Sequence, residues 1–158
     1  MRTYSLLKGL PVYELKSGEK IGHVYDLNIS SNGIVRGLLI KKGNLFRKTF
    51  TVQIENVSSF GLDGVMIEDK KVLEPINFPP DYTLEHKQCL TGKMIMSNEG
   101  DKLGLLEDVY FMEEVGTIVG YEITDGFFSD ITEGKRVVKT VAPPAIGKDT
   151  IIVNVKST

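Results

Sequence analysis

Few side chains in this 158-residue sequence are suited to chemistry: two histidines, His23 and His86, and one cysteine, Cys89. His86-Lys87-Gln88-Cys89 is the one local cluster with metal-ligating atoms. Two ligands fall short of the four that a structural zinc site takes, and His23 is remote in sequence. A serine or cysteine nucleophile needs a base held against it, and no motif here supplies one. Carboxylates recur instead. Asp26 with Asp108, and Asp63 with Asp149, hold matching places beside glycines. Such pairs can serve general acid–base work or cation binding. Aspartates next to glycines more simply accept backbone hydrogen bonds and fix turns. The glycine pairs Gly18/Gly22 and Gly100/Gly104 do not continue into a phosphate-cradling motif ahead of a helix. Gly18, Gly22, Asp26, Gly61, Asp63, Gly100, Gly104, Asp108, Gly147 and Asp149 are therefore read as structural turn residues. No catalytic residue, metal or cofactor is expected.

A binding role has better candidates. Residues 41–48, KKGNLFRK, place Lys41, Lys42, Arg47 and Lys48 around Phe46 on an expected loop. Basic groups at that spacing can meet phosphates while the ring stacks on a base, so RNA or ribonucleoprotein association is one reading. The other is a protein contact, because exposed aromatics on a rigid β scaffold make good anchors. In the second half the matching region holds Phe127 and Phe128 among Asp125, Asp130 and Glu133. These loops differ most between the halves, so a partner site is expected there, with protein as the first expectation.

The elements that carry these residues follow from an internal repeat, which governs the whole reading. LKSGEKIGHVYD at residues 15–26 returns as MSNEGDKLGLLED at 96–108, offset by 82 positions (108 − 26). Each copy precedes a hairpin: Ile21–Ile29 and Ile34–Ile40 around Asn32-Gly33, then Leu103–Met112 and Thr117–Thr124 around Glu113–Gly116. Thr3–Lys8 is a β-leaning segment, Ile54–Gly61 a loose or 3₁₀ turn, and Ser129-Asp130 the start of one helical turn ended by Gly134. Three of the six prolines lie in Glu74–Asp81 and mark a linker. Short strands, glycine-marked turns and no long helix specify an all-β chain of two small units.

Composition adds limits. The net charge is −2, which provides no general attraction to nucleic acid or anionic membrane. Residues 1–78 hold 11 basic and 8 acidic side chains (+3), and residues 79–158 hold 8 and 13 (−5). A lone cysteine suits a reducing compartment, and the N-terminus lacks a signal-peptide core, so a cytoplasmic location is expected. Oligomeric state is left open.

GLPVYELKSGEKIGHVYDL with FGLDGVMI, and GDKLGLLEDV with IGKDTIIV, resemble the PRC-barrel family. That family includes the cytoplasmic barrel of the photosynthetic reaction centre H subunit and the barrel of a ribosome maturation factor. The resemblance implies two tandem barrels of about six short strands: 1–76, a linker at 77–82, and 83–158. It also implies a non-enzymatic adaptor or regulatory module, since the family shares no catalytic centre.

Overall fold

The computed structural model describes residues 1–43, 48–124 and 135–154. It opens with strand β1 (Arg2–Thr3) and a single helical turn, α1 (Tyr4–Leu7). In the first half follow β2 (Pro11–Glu14), β3 (Lys20–Ile29), β4 (Val35–Lys42), β5 (Lys48–Gln53), β6 (Val57–Phe60), β7 (Val65–Ile67) and β8 (Glu74–Pro75). The second half contributes β9 (Met94–Ser97), β10 (Lys102–Phe111), β11 (Ile118–Thr124), β12 (Lys135–Lys139), β13 (Ala145–Ile146) and β14 (Thr150–Val153).

Six strands of each half follow the same order, and β8 extends the first path by one. The first sheet runs β6-β7-β2-β3-β4-β5-β8, and the second runs β13-β14-β9-β10-β11-β12. In both, the strand that opens the repeat pairs in parallel with the one that closes it, β2 with β7 and β9 with β14. The remaining neighbours on these paths are antiparallel. Among the described residues each path is open, so the expected pair of barrels appears as two all-β sheets with one strand order.

Irregular apolar spacing in Ile21–Ile29 has a local cause. Strand β3 slips register against β4 between Val24 and Asp26, and again between Asn28 and Ile29. The first slip makes Tyr25 the extra residue of a β-bulge and turns Asp26 and Leu27 both inward. Strand β10 repeats this between Leu106 and Asp108. Asp26 and Asp108 thus lie in mid-strand rather than in turns. Gly22 and Gly104 are also strand residues: a Cβ would stand 2.3 Å from the Lys41 carbonyl oxygen at Gly22 and 2.6 Å from that of Thr124 at Gly104. Gly18, Gly61, Gly100 and Gly147 do sit in turns. Gly61 N–H donates to Gly64 O, and Gly147 N–H to Thr150 O, both at 2.9 Å. Asp63 and Asp149 are exposed in those two turns. Thr3–Lys8 is mainly helical, not extended, and the loose turn after Gln53 is one 3₁₀ turn, Ile54–Asn56, that runs into β6. The proposed helical turn at Ser129–Gly134 lies outside the described residues.

Buried side chains from both halves form one cluster, with Tyr4, Leu7, Leu84 and Leu90 among its fully covered members. At the end of β2, buried Glu14 accepts hydrogen bonds from Ser17 Oγ (2.5 Å) and the Lys70 amide (2.6 Å). The Ser17 hydroxyl first, then the Lys70 amide, hold its carboxyl below the ordinary range.

Two predictions concern stability. A methyl at Gly37 would meet the Val52 carbonyl oxygen at 2.1 Å, while at Gly18 (φ +73°) it meets nothing within 4 Å. Gly37→Ala should cost about 3 kcal/mol by denaturant unfolding, against about 1 kcal/mol for the left-handed Gly18→Ala. Glu14 binds its proton less readily folded than unfolded, so its contribution is present at neutral pH and lost as pH falls through its depressed pKa. Glu14→Gln should reduce the slope of stability against pH on the acid side.

Candidate functional site

The two halves exchange their leading segments. Strand β1 pairs with β10 of the second sheet, Arg2 opposite Phe111 and Thr3 opposite Tyr110. Reciprocally, Tyr82 bridges to Ile29 of the first sheet, with amide–carbonyl hydrogen bonds of 2.9 and 3.0 Å. Each segment then bends into a hook whose amides converge on the bulge carboxylate of the other half. Asp108 accepts from the amides of Tyr4 (3.0 Å), Ser5 (3.1 Å) and its own neighbour Val109 (2.8 Å). Asp26 accepts from the amides of Leu84 (2.8 Å), Glu85 (3.1 Å) and Leu27 (2.7 Å), and additionally from His86 Nδ1. Asp26 has no exposed surface, and a buried carboxylate is tolerable only with such a complement of donors.

Tyr4 adds a second tie, its hydroxyl donating to the Tyr25 carbonyl at 2.7 Å. Burial first, with the nearby Asp26 charge, raises the Tyr4 phenol well above its ordinary pKa, so it remains a donor. Beside this junction opens a cleft of about 300 Å³ lined by Lys8, Gly9, His23, Tyr25, Lys41 and His86. His86 stacks on Tyr25 with centroids 3.9 Å apart, and Lys41 Nζ stands 4.6 Å from the centre of the same ring. Lys8 pairs with Glu85 at 2.7 Å, and that hydrogen bond and charge raise the lysine pKa. Strand register sets His23 opposite Lys41, and Lys42 opposite Lys48 one step further out.

Of the expected partner-binding residues, Lys41, Lys42 and Lys48 therefore gather at one end of the first sheet, and Lys41 reaches the cleft. Phe46, Arg47, Phe127 and Phe128 lie outside the described residues. Asp26 and Asp108 are joined by the two hooks into one junction, whereas Asp63 and Asp149 remain apart from it on outlying turns. Sequence reasoning missed the place of His86, which lines the same cleft as His23 despite a separation of 63 positions (86 − 23). The available signal was weak: Thr3 and Thr83 open the two hooks eighty positions apart. Among the described residues no three His, Cys, Asp or Glu side chains gather to hold a metal ion. No helix among them is long and apolar enough to cross a membrane.

A family model for the PRC-barrel domain matches this chain twice, over residues 1–74 and 89–158. A Bacillus subtilis (strain 168) protein, the uncharacterized YrrD, is 33% identical over 161 residues, covering 98% of this chain and 88% of its own length.

The reciprocal hooks yield a paired expectation. Asp26→Asn and Asp108→Asn each place an amide NH₂ against backbone donors, and each should lower unfolding stability by about 2–4 kcal/mol. The two losses should not add, since both weaken one junction between the halves; a double-mutant cycle in denaturant measures the coupling.

Proposed function

The chain belongs to the PRC-barrel domain family, and from that premise we propose that it is a non-enzymatic cytoplasmic module that binds a partner protein at the basic end of its first sheet. The carrying observation is that Lys41, Lys42, Lys48 and His23 share that end of the sheet: Lys41 and His23 line the cleft between the halves, and Lys42 and Lys48 pair one step further out on the other face. Lysines facing one another across strands repel, a cost that Lys42 offsets only in part by standing 5.9 Å from the centre of the Phe50 ring. An external acidic group relieves that repulsion. The carboxylates that recur in the repeat support a binding role over a catalytic one. Asp26 and Asp108 are already occupied by backbone donors and are nearly inaccessible to a substrate. The +3 balance of residues 1–78 also favours an acidic partner.

Charge reversal at Lys42 and Lys48 in the full chain tests this. Proteins captured by the native chain should bind the Lys42→Glu/Lys48→Glu variant about tenfold more weakly, with an unchanged melting temperature. RNA titrated at low ionic strength should not bind. RNA binding that falls steeply with salt would replace the protein reading with the nucleic-acid one.

A further inference from the structure

We infer that the cleft at the junction is an oxyanion pocket, taking a carboxylate or phosphoryl group presented by an acidic segment of the partner protein. This rests on the binding role proposed above and names the chemistry of its site. Nitrogen-bearing side chains reach the cleft from four parts of the chain: Lys8 after α1, His23 on β3, Lys41 on β4, and His86 on the second hook. Asp26 is saturated by four donors, and Glu85 already pairs with Lys8, so Lys41, His23 and His86 are the nitrogens left to meet a ligand. At about 300 Å³ the space fits one side-chain-sized group.

The second half supplies an internal control. Strand register and hook hydrogen bonds give each cleft residue a structural counterpart there. His23 opposite Lys41 corresponds to Leu105 opposite Thr124, and the bulge residue Tyr25 to Glu107. Gly9 and Gly92 donate equivalently to the carbonyls of Val24 and Leu106, so Lys8 corresponds to Thr91. The hook position of His86 is filled by Leu6. Not one basic group recurs, although Asp108, the bulge and the hook all do. The second half forms its junction without such side chains; in the first half His86 also donates to Asp26, whereas His23 and Lys41 take no part in the junction and answer to something other than folding.

Asp26 engages Nδ1 of His86 and leaves Nε2 as the outer edge of the ring, in the cleft that His23 and Lys41 also line.

Calorimetric titration of the full chain decides the matter, using a capped oligoglutamate peptide, its phosphoserine and glutamine analogues, inorganic phosphate and an RNA oligomer. The oligoglutamate and phosphoserine peptides should bind and the glutamine peptide should not. Lys41→Gln and His23→Ala should each weaken binding about tenfold. His86→Gln, which removes the imidazole edge, should weaken it by a similar factor. His23 takes no part in the junction, so its variant should melt with the native chain and separate lost binding from lost folding. Peptide affinity unchanged in all three variants but lost in Lys42→Glu/Lys48→Glu would overturn the pocket and keep the binding module. Affinity unchanged in every variant would overturn both. Inorganic phosphate binding as tightly as the peptides, or RNA binding more tightly, would overturn the acidic-segment occupant.

Discussion

The structure depends on a buried carboxylate used twice. Each half places an aspartate just past a β-bulge, where its side chain points away from water, and neither half supplies enough donors to keep it there. Only one donor is local: the amide of the next residue, Leu27 or Val109. The rest arrive from the opposite half, on a hook that also leaves its own first amides unpaired until it meets the aspartate. Each deficit answers the other. A bent segment with free N–H groups and a buried charge with free lone pairs are both costly alone, and their meeting is a charge-assisted interaction in a poorly screened setting.

This reciprocity suits the size of the parts. A unit of roughly 75 residues buries a modest fraction of its chain and is marginal by itself. Tyr4 and Leu7 on one hook, and Leu84 and Leu90 on the other, carry apolar surface into the same cluster as the sheets. The carboxylates contribute direction rather than bulk. Apolar burial favours any compact arrangement of two sheets, whereas two amides converging on one carboxylate specify register and orientation. The close approach of Gly116 to the Val35 carbonyl, where a Cβ would stand 2.0 Å away, fixes a further point of contact.

The legible and illegible parts of the sequence divide along the same physical line. The repeat, the hairpins and the paired closing turns rest on local signals: alternation, Asn-Gly, and glycine beside aspartate. Each emerged in the expected order. Asp26 and Asp108 were recognised as equivalent but assigned to turns, because a bulge breaks the alternation that would have marked them as inward-facing. The hooks were harder still. Tyr4 and Asp108 are 104 residues apart, and nothing in a four-residue helical turn announces the carboxylate that will hold it. His86 was dismissed as one member of an incomplete metal cluster, since its meaning comes from Asp26, Tyr25 and His23, none of them near it in sequence.

Internal duplication also separates what folding requires from what it merely permits. A feature present in both halves, such as the bulge, the aspartate, the hook or the parallel closing strand, is accounted for by the architecture the halves share. A feature present in one half at a position the other fills with a chemically unrelated residue has no such account. The cleft residues fall in the second group: histidine stands against leucine twice, tyrosine against glutamate, and lysine against threonine twice. Their cost is also one-sided. Gathering cations at the end of a sheet raises its electrostatic energy, and a histidine stacked in a half-buried site loses rotamer freedom. The second half forms its junction with Leu6, Thr91, Leu105, Glu107 and Thr124 at those places, so neither cost is imposed by the fold. Glu85, Asp26 and the Tyr25 ring offset part of both costs and an anion in the cleft would offset more, so the asymmetry between the halves, rather than the motif they share, is where a binding role is to be sought.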